Sequence, residues 1–147
     1  MPPLSPIGRL FGAPGSPPFG SVPSRAAARD LIDAGSGPSA AVTTRDDPMS
    51  WMRPTLLPHS PDQAQARVLA AVGMLRGWDL AGHSSDVIWA TRTTPMLGFV
   101  DDVLILLTPD GAGTLVEARS ASRIGRGDLG RNRSTLRELS RVLSRWA

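Results

Sequence analysis

The residues able to do chemistry gather between Phe99 and Asn132. Two neighbouring acids, Asp101 and Asp102, precede an apolar run from Val103 to Leu107, and a Thr-Pro-Asp-Gly-Ala-Gly segment follows it. A second run then ends in Arg119, Ser120, Ser122, Arg123, Gly125, Asp128 and Asn132. Guanidinium forks, hydroxyl donors, glycine-freed amides and the start of a helix are what capture of a phosphate or carboxylate needs. The same residues also suit an internal network. In that reading Asp101 or Asp102 pairs with Arg119, Asp128 caps the helix, and the serine hydroxyls bond the backbone. Further on, Arg133, Arg137, Arg141 and Arg145 fall on one arc of a helix, a basic face that could track nucleic-acid phosphates. With no Tyr and few aromatics, platforms for base stacking are scarce, and a solvated helix face is the preferred reading.

Catalytic arrangements are weaker. His83-Ser84-Ser85-Asp86 contains the letters of a hydrolytic triad, but neighbours in one turn cannot place a nucleophile against its base. His59 and His83 are the two histidines and lack the spacing of metal ligands. Asp101 and Asp102 could hold Mg²⁺, yet successive strand residues point to opposite faces. The expectation is a chain with no catalytic residues, no metal and no cofactor.

The elements that must position these residues follow from pattern. Val103 to Leu107 has the length of a strand and is too short for an independent helix. Leu115 to Ser122 alternates, with Leu115, Glu117 and Arg119 on one face and Val116, Ala118 and Ser120 on the other. Pro109-Asp110-Gly111 is turn chemistry, so the two runs form a hairpin. A turn of Asp110 and Gly111 sets Asp102 opposite Arg119; a loop one residue longer makes Asp101 the diagonal neighbour of Arg119. Upstream, Ser60-Pro61-Asp62-Gln63 is a capping box that opens a helix, on which Ala64, Val68, Val72 and Leu75 recur at helical spacing. Trp78-Asp79-Leu80 and Val87 to Thr94 read as two more strands. The last helix runs from about Asn132 or Thr135 to Trp146. Asp128, Asn132 or Thr135 is its candidate cap, and Leu136, Leu139, Val142, Leu143 and Trp146 form its apolar face.

Phe99-Val100-Asp101-Asp102-Val103, followed by Arg119-Ser120-Ala121-Ser122-Arg123-Ile124-Gly125-Arg126-Gly127-Asp128-Leu129-Gly130-Arg131-Asn132, resembles the signature of the domain of unknown function family 1499. The resemblance covers roughly Ser60 to Ala147 and is strongest from Phe99 to Asn132. It implies a fold and a set of motif residues and no reaction, because the family has no established activity. The family often carries a cysteine upstream, absent here, and a basic residue where this chain has Thr135.

The 147 residues suit one domain. No apolar run approaches the roughly 18 residues that span a bilayer, so a soluble or peripheral chain is expected. No secretory signal is visible, which favours the cytoplasm. Every basic residue is arginine, and absence of cysteine excludes disulfides and thiol chemistry. Charge is concentrated at the end. Residues 119–147 carry eight arginines against Asp128 and Glu138, within a chain of net +3.

Residues 1–50, dense in Pro, Gly, Ser and Ala, read as a disordered or partner-wrapping arm, with Ala26 to Ile32 able to form a short helical turn. Residues 51–59 read as a linker with apolar anchors at Trp51, Met52, Leu56 and Leu57. Residues 60–147 read as one α+β domain: an antiparallel sheet of about four strands with two helices on one face, the other left to water or a partner. The functional expectation is a non-catalytic module that docks on a protein partner, as an accessory or assembly component of a larger complex. Binding of a small anion is the alternative and nucleic-acid binding the second.

Overall fold

Val103 to Leu107 forms a strand buried on both faces, and the architecture follows from that. A computed structural model of the chain describes residues 18–124 and 130–147. One antiparallel sheet contains β1 (Ala40–Val42), β2 (Thr55–Leu57), β3 (Trp78–His83), β4 (Val87–Thr93), β5 (Val100–Asp110) and β6 (Gly113–Ser122). The order is β1-β6-β5-β4-β3, with β2 also paired to β6. Among the described residues three helices cover it: α1 (Arg25–Asp33), α2 (Pro61–Met74) and α3 (Arg131–Leu143). The fold is thus α+β as expected, but among the described residues it has six strands instead of about four and three helices instead of two.

The two faces have separate cores. On one, Ile88, Ala90, Val103, Ile105 and Leu107 meet Ala64, Val68 and Val72 of α2 and Leu136, Leu139 and Leu143 of α3. On the other, Val42, Val87, Trp89, Leu104 and Leu106 meet Ala28 and Ile32 of α1. Ser24 caps α1 by accepting from the Ala27 N–H at 3.2 Å, and Phe19 stands edge-on to Trp89 with ring centroids 5.2 Å apart. This corrects the expectation that one face stays open and that residues 18–50 belong to a disordered or partner-wrapping arm. From residue 18 onward that segment contributes α1 and β1 to the fold. Residues 1–17 lie outside the described residues. A helix of this length is marginal alone. Composition hid it because its stability comes from the apolar sheet face it covers.

The expected linker is likewise part of the sheet. Leu57 of β2 and Met52 in the 3₁₀ turn Ser50–Met52 are fully buried, while Leu56 is exposed. β2 pairs with the 114–116 end of β6, and β1 with the 119–121 end.

Local signals hold elsewhere. Ser60 caps α2 and Pro61 stands in its first turn. Gly77 adopts φ +83, where a Cβ would lie 2.9 Å from the Thr93 carbonyl oxygen. β3 is longer than expected and carries an irregularity between Leu80 and Gly82. The β5–β6 hairpin is present, but Asp110 faces Gly113, so the turn is Gly111-Ala112, with Gly111 at φ +60. The register therefore differs from both expectations: Arg119 stands opposite Leu104, Asp102 opposite Ala121 and Asp101 opposite Ser122. α3 starts at Arg131 behind Gly130, which has φ +82 and supplies no side-chain cap. Asn132 and Thr135 are buried within its first turns and are not caps. Asp128 and Gly125 lie outside the described residues.

Candidate functional site

Asp101 and Asp102 begin β5 and, as consecutive strand residues, serve opposite faces. Toward α3, Asp101 is fully buried and accepts from Arg131 Nη2 at 2.7 Å and Nε at 3.1 Å. Arg131 Nη2 also donates to Ser122 Oγ at 2.7 Å, and its guanidinium lies 5.3 Å from the Phe99 ring centroid. Asn132 Nδ2 donates to Ser122 Oγ at 2.9 Å and to the Ser39 carbonyl at 3.0 Å, while Ser120 Oγ donates to Asn132 Oδ1 at 2.6 Å. One interior network thus ties the start of α3 to both strands of the hairpin and to the segment before β1.

Toward α1, Asp102 accepts from Arg123 Nε at 2.7 Å and Nη2 at 2.9 Å, and from Trp89 Nε1 at 2.8 Å. Arg123 holds 9% and Asp102 4% of side-chain exposure, so the pair is nearly dry. Two residues before Arg119 on the same strand, Glu117 is held by both terminal nitrogens of Arg29 on α1.

Arg119 stands between these pairs on that face and belongs to neither. Its Nε is buried and has no hydrogen-bond acceptor among the described residues. Burial lowers the guanidinium below its ordinary value, and the charge of Asp102 opposes the shift. The expected Asp–Arg119 pairing is therefore corrected: Asp102 takes Arg123 and Asp101 takes Arg131, because the turn lies further along the chain than Pro109-Asp110-Gly111 suggested.

The other candidate residues divide clearly. Ser120 and Ser122 face α3 and both bond Asn132 in its first turn, away from Arg119. On the basic helix, Arg133 and Arg137 lie over the Trp51 ring at 5.2 and 5.4 Å, and Arg133 pairs with Asp47 at 3.3 Å. Arg141 and Arg145 are exposed. Asp47 is held below the ordinary carboxylate value, first by the N–H of Met49, with burial opposing and Arg133 assisting. Glu138 accepts from Trp78 Nε1 at 2.8 Å and from Arg92 Nη2 at 3.2 Å.

Of the triad letters, Ser84 Oγ bonds Asp86 at 3.3 Å and the Val87 N–H at 3.2 Å, while His83 Nδ1 lies 3.4 Å from Gln65. Sequence reasoning missed Arg131 and Arg29. Arg131 was visible inside the motif, whereas Arg29 had no local signal.

The family model described as Protein of unknown function (DUF1499) matches residues 21–143. The chain belongs to this family. The DUF1499 match begins just ahead of α1, well upstream of Ser60, so the family unit includes α1, β1 and β2. No curated protein matches the chain. Among the described residues of this DUF1499 member, no helix is long and apolar enough to cross a membrane, and no group of three or more His, Cys, Asp or Glu could hold a metal.

Proposed function

We propose that the chain is a non-catalytic binding module that holds an anionic group at Arg119. One observation carries the reading: Arg119 is a permanently charged side chain whose Nε is buried with no acceptor among the described residues. Neighbouring guanidiniums on the same face each hold a carboxylate, Arg29 on Glu117 and Arg123 on Asp102. A desolvated donor without a partner costs roughly 1–3 kcal/mol, and more when charged. An anion on the solvent-reached nitrogens of the same guanidinium offsets its buried charge. Arg119 is only partly buried as a whole residue, so solvent reaches the rest of its side chain. The test is equilibrium binding of acetate, chloride and inorganic phosphate to the full chain, followed by NMR, with Arg119→Gln alongside. Saturable binding lost in the variant supports the reading. Absence of binding, or equal binding by both proteins, overturns it.

A second reading, docking on a protein partner in a larger complex, rests on the β4–β5 turn. Met96 and Leu97 are 79% and 39% exposed there. Met96 is held at φ +65, inside a turn closed by Leu97 N–H to the Pro95 carbonyl and Gly98 N–H to the Thr94 carbonyl. An apolar tip fixed in a costly backbone conformation suits an interface. The check is recovery of co-purifying proteins with the full chain and with a Met96→Ser/Leu97→Ser variant; identical recovery removes this reading.

A further inference from the structure

We infer that the exposed side of α3 docks on the sugar-phosphate backbone of a nucleic-acid duplex, without sequence preference. This surface is separate from Arg119, and the inference does not rest on the binding reading above.

From Arg131 to Arg145 the exposed residues are Ser134, Arg137, Arg141, Ser144 and Arg145. None is acidic and none is apolar. Leu136, Leu139, Val142 and Leu143 take the other side of the helix into the core. The acids near this surface are already engaged. Glu138, the one acid of α3, accepts from Arg92 and Trp78. Asp47 pairs with Arg133 at 3.3 Å and also feels the charge of Arg53, whose Nε and Nη2 donate to the Asp47 and Pro48 carbonyls. Six guanidiniums (Arg53, Arg92, Arg133, Arg137, Arg141, Arg145) thus meet two carboxylates (Asp47, Glu138), an excess of four positive charges. Arg45 and Asp46 add one charge of each sign, as do Arg67 and Asp62 on α2, the neighbouring helix. Arg137, Arg141 and Arg145 have no acidic partner among the described residues.

Geometry narrows the partner. Arg137 and Arg141 stand one turn apart on α3, and Arg145 follows at the same spacing just past its end. Each step rises about 6 Å, so the three form a row along the helix axis. A row of fixed cations suits a linear chain of phosphates, which guanidiniums and serine hydroxyls both contact. Helices that lie on membranes also insert apolar side chains, and this side has none. Protein interfaces have an apolar centre, which it lacks as well. Single strands are gripped through aromatic rings. Here the Trp51 ring already carries Arg133 and Arg137 at 5.2 and 5.4 Å, and Trp146 packs on the core. Contact therefore falls to the backbone, and the duplex is the form that offers backbone without needing base stacking.

The experiment measures binding of the full chain to a short labelled DNA duplex by fluorescence anisotropy across a salt series. Polyglutamate and vesicles containing phosphatidylserine are the comparison probes. The duplex is expected to bind, with affinity falling about fortyfold between roughly 50 and 200 mM salt, as three phosphate contacts require. Duplexes of unrelated sequence should bind alike. Arg137→Gln/Arg141→Gln/Arg145→Gln should bind at least about tenfold more weakly, while the matching triple Lys variant stays within about threefold of the unaltered chain. All three positions are exposed, so both variants should keep the urea transition of the chain. Arg119→Gln should bind the duplex unchanged, which tests this surface apart from the Arg119 site. Absence of duplex binding at low salt overturns the inference, and so does equal binding by the triple Gln variant. Polyglutamate or vesicles bound more tightly than the duplex, with that binding lost in the triple Gln variant, also overturns it and assigns the surface to an acidic protein or to a membrane.

Discussion

Asp101 and Asp102 are joined by one peptide bond and serve opposite layers of the molecule. Each is matched by a two-point arginine contact from the segment that follows the hairpin. Removing one partner of a buried pair leaves an uncompensated charge, which costs about 3–5 kcal/mol. Arg123→Met is expected to lose stability on that scale, measured by urea unfolding. Arg123→Lys, which keeps the charge and loses the fork, should fall between it and the unaltered chain. Arg119 behaves in the opposite sense. No acceptor is lost when it is replaced, so Arg119→Met should be neutral or stabilising by about 1 kcal/mol in the same assay. A clear destabilisation would mean that Arg119 has a partner after all. Which acid meets which arginine was not legible in the sequence. The motif placed acids on one strand and arginines after the other, but moving the turn from Asp110-Gly111 to Gly111-Ala112 reassigns every cross-strand partner.

At the scale of elements, α1 is the least self-sufficient part of the fold. Its hold on the sheet consists of Ala28 and Ile32 in the second core, and of Arg25 and Arg29 on its flanks. Arg25 Nη1 donates to the Leu107 carbonyl at 2.7 Å, while Arg29 pairs with Glu117. Ile32→Ala should cost about 2 kcal/mol or more by opening a cavity beneath α1. Ser24→Ala should cost about 1 kcal/mol through loss of the cap. Both are read by thermal or urea unfolding. α3 has a different tie, from Asp47 to Arg133. Because the folded carboxylate of Asp47 titrates below its ordinary value of 3.8, the charged form favours folding. The advantage over Asp47→Asn is therefore full above that ordinary value and fades as pH falls through the lower folded one. Stability of the two proteins measured across the acid range checks the sign. One signal for the second layer was present in the sequence. A continuous apolar run such as Val103 to Leu107, without polar alternation, belongs to a strand covered on both sides. The alternation in β6 pointed to a single covered face, and the segment that covers the other lies far upstream.

Considered as a whole, the chain is one α–β–α assembly whose family unit extends from residue 21 to 143. A chain cut to begin at Ser60 lacks α1, β1 and β2. It would leave Val87, Trp89, Leu104 and Leu106 open to water and both ends of β6 without an outer partner. Such a chain is expected to lose its cooperative urea transition and to bind a hydrophobic dye, whereas the full chain unfolds sharply. Cooperative unfolding of the shorter chain would restore Ser60 as the start of a self-standing domain.

The sequence alone determined whatever depends on a few neighbouring residues. The Ser60 cap, the paired strands around a glycine turn, the apolar face of α3 and the family motif are local, because propensity and periodicity act over one or two turns. Tertiary structure decided what depends on register and on distant segments. It set Asp102 on Arg123, brought Arg29 to Glu117 across 88 residues of chain, closed the second face with α1, and left Arg119 between engaged neighbours. Those outcomes follow from which strands adjoin and by how many residues they are offset, and no local pattern contains that offset.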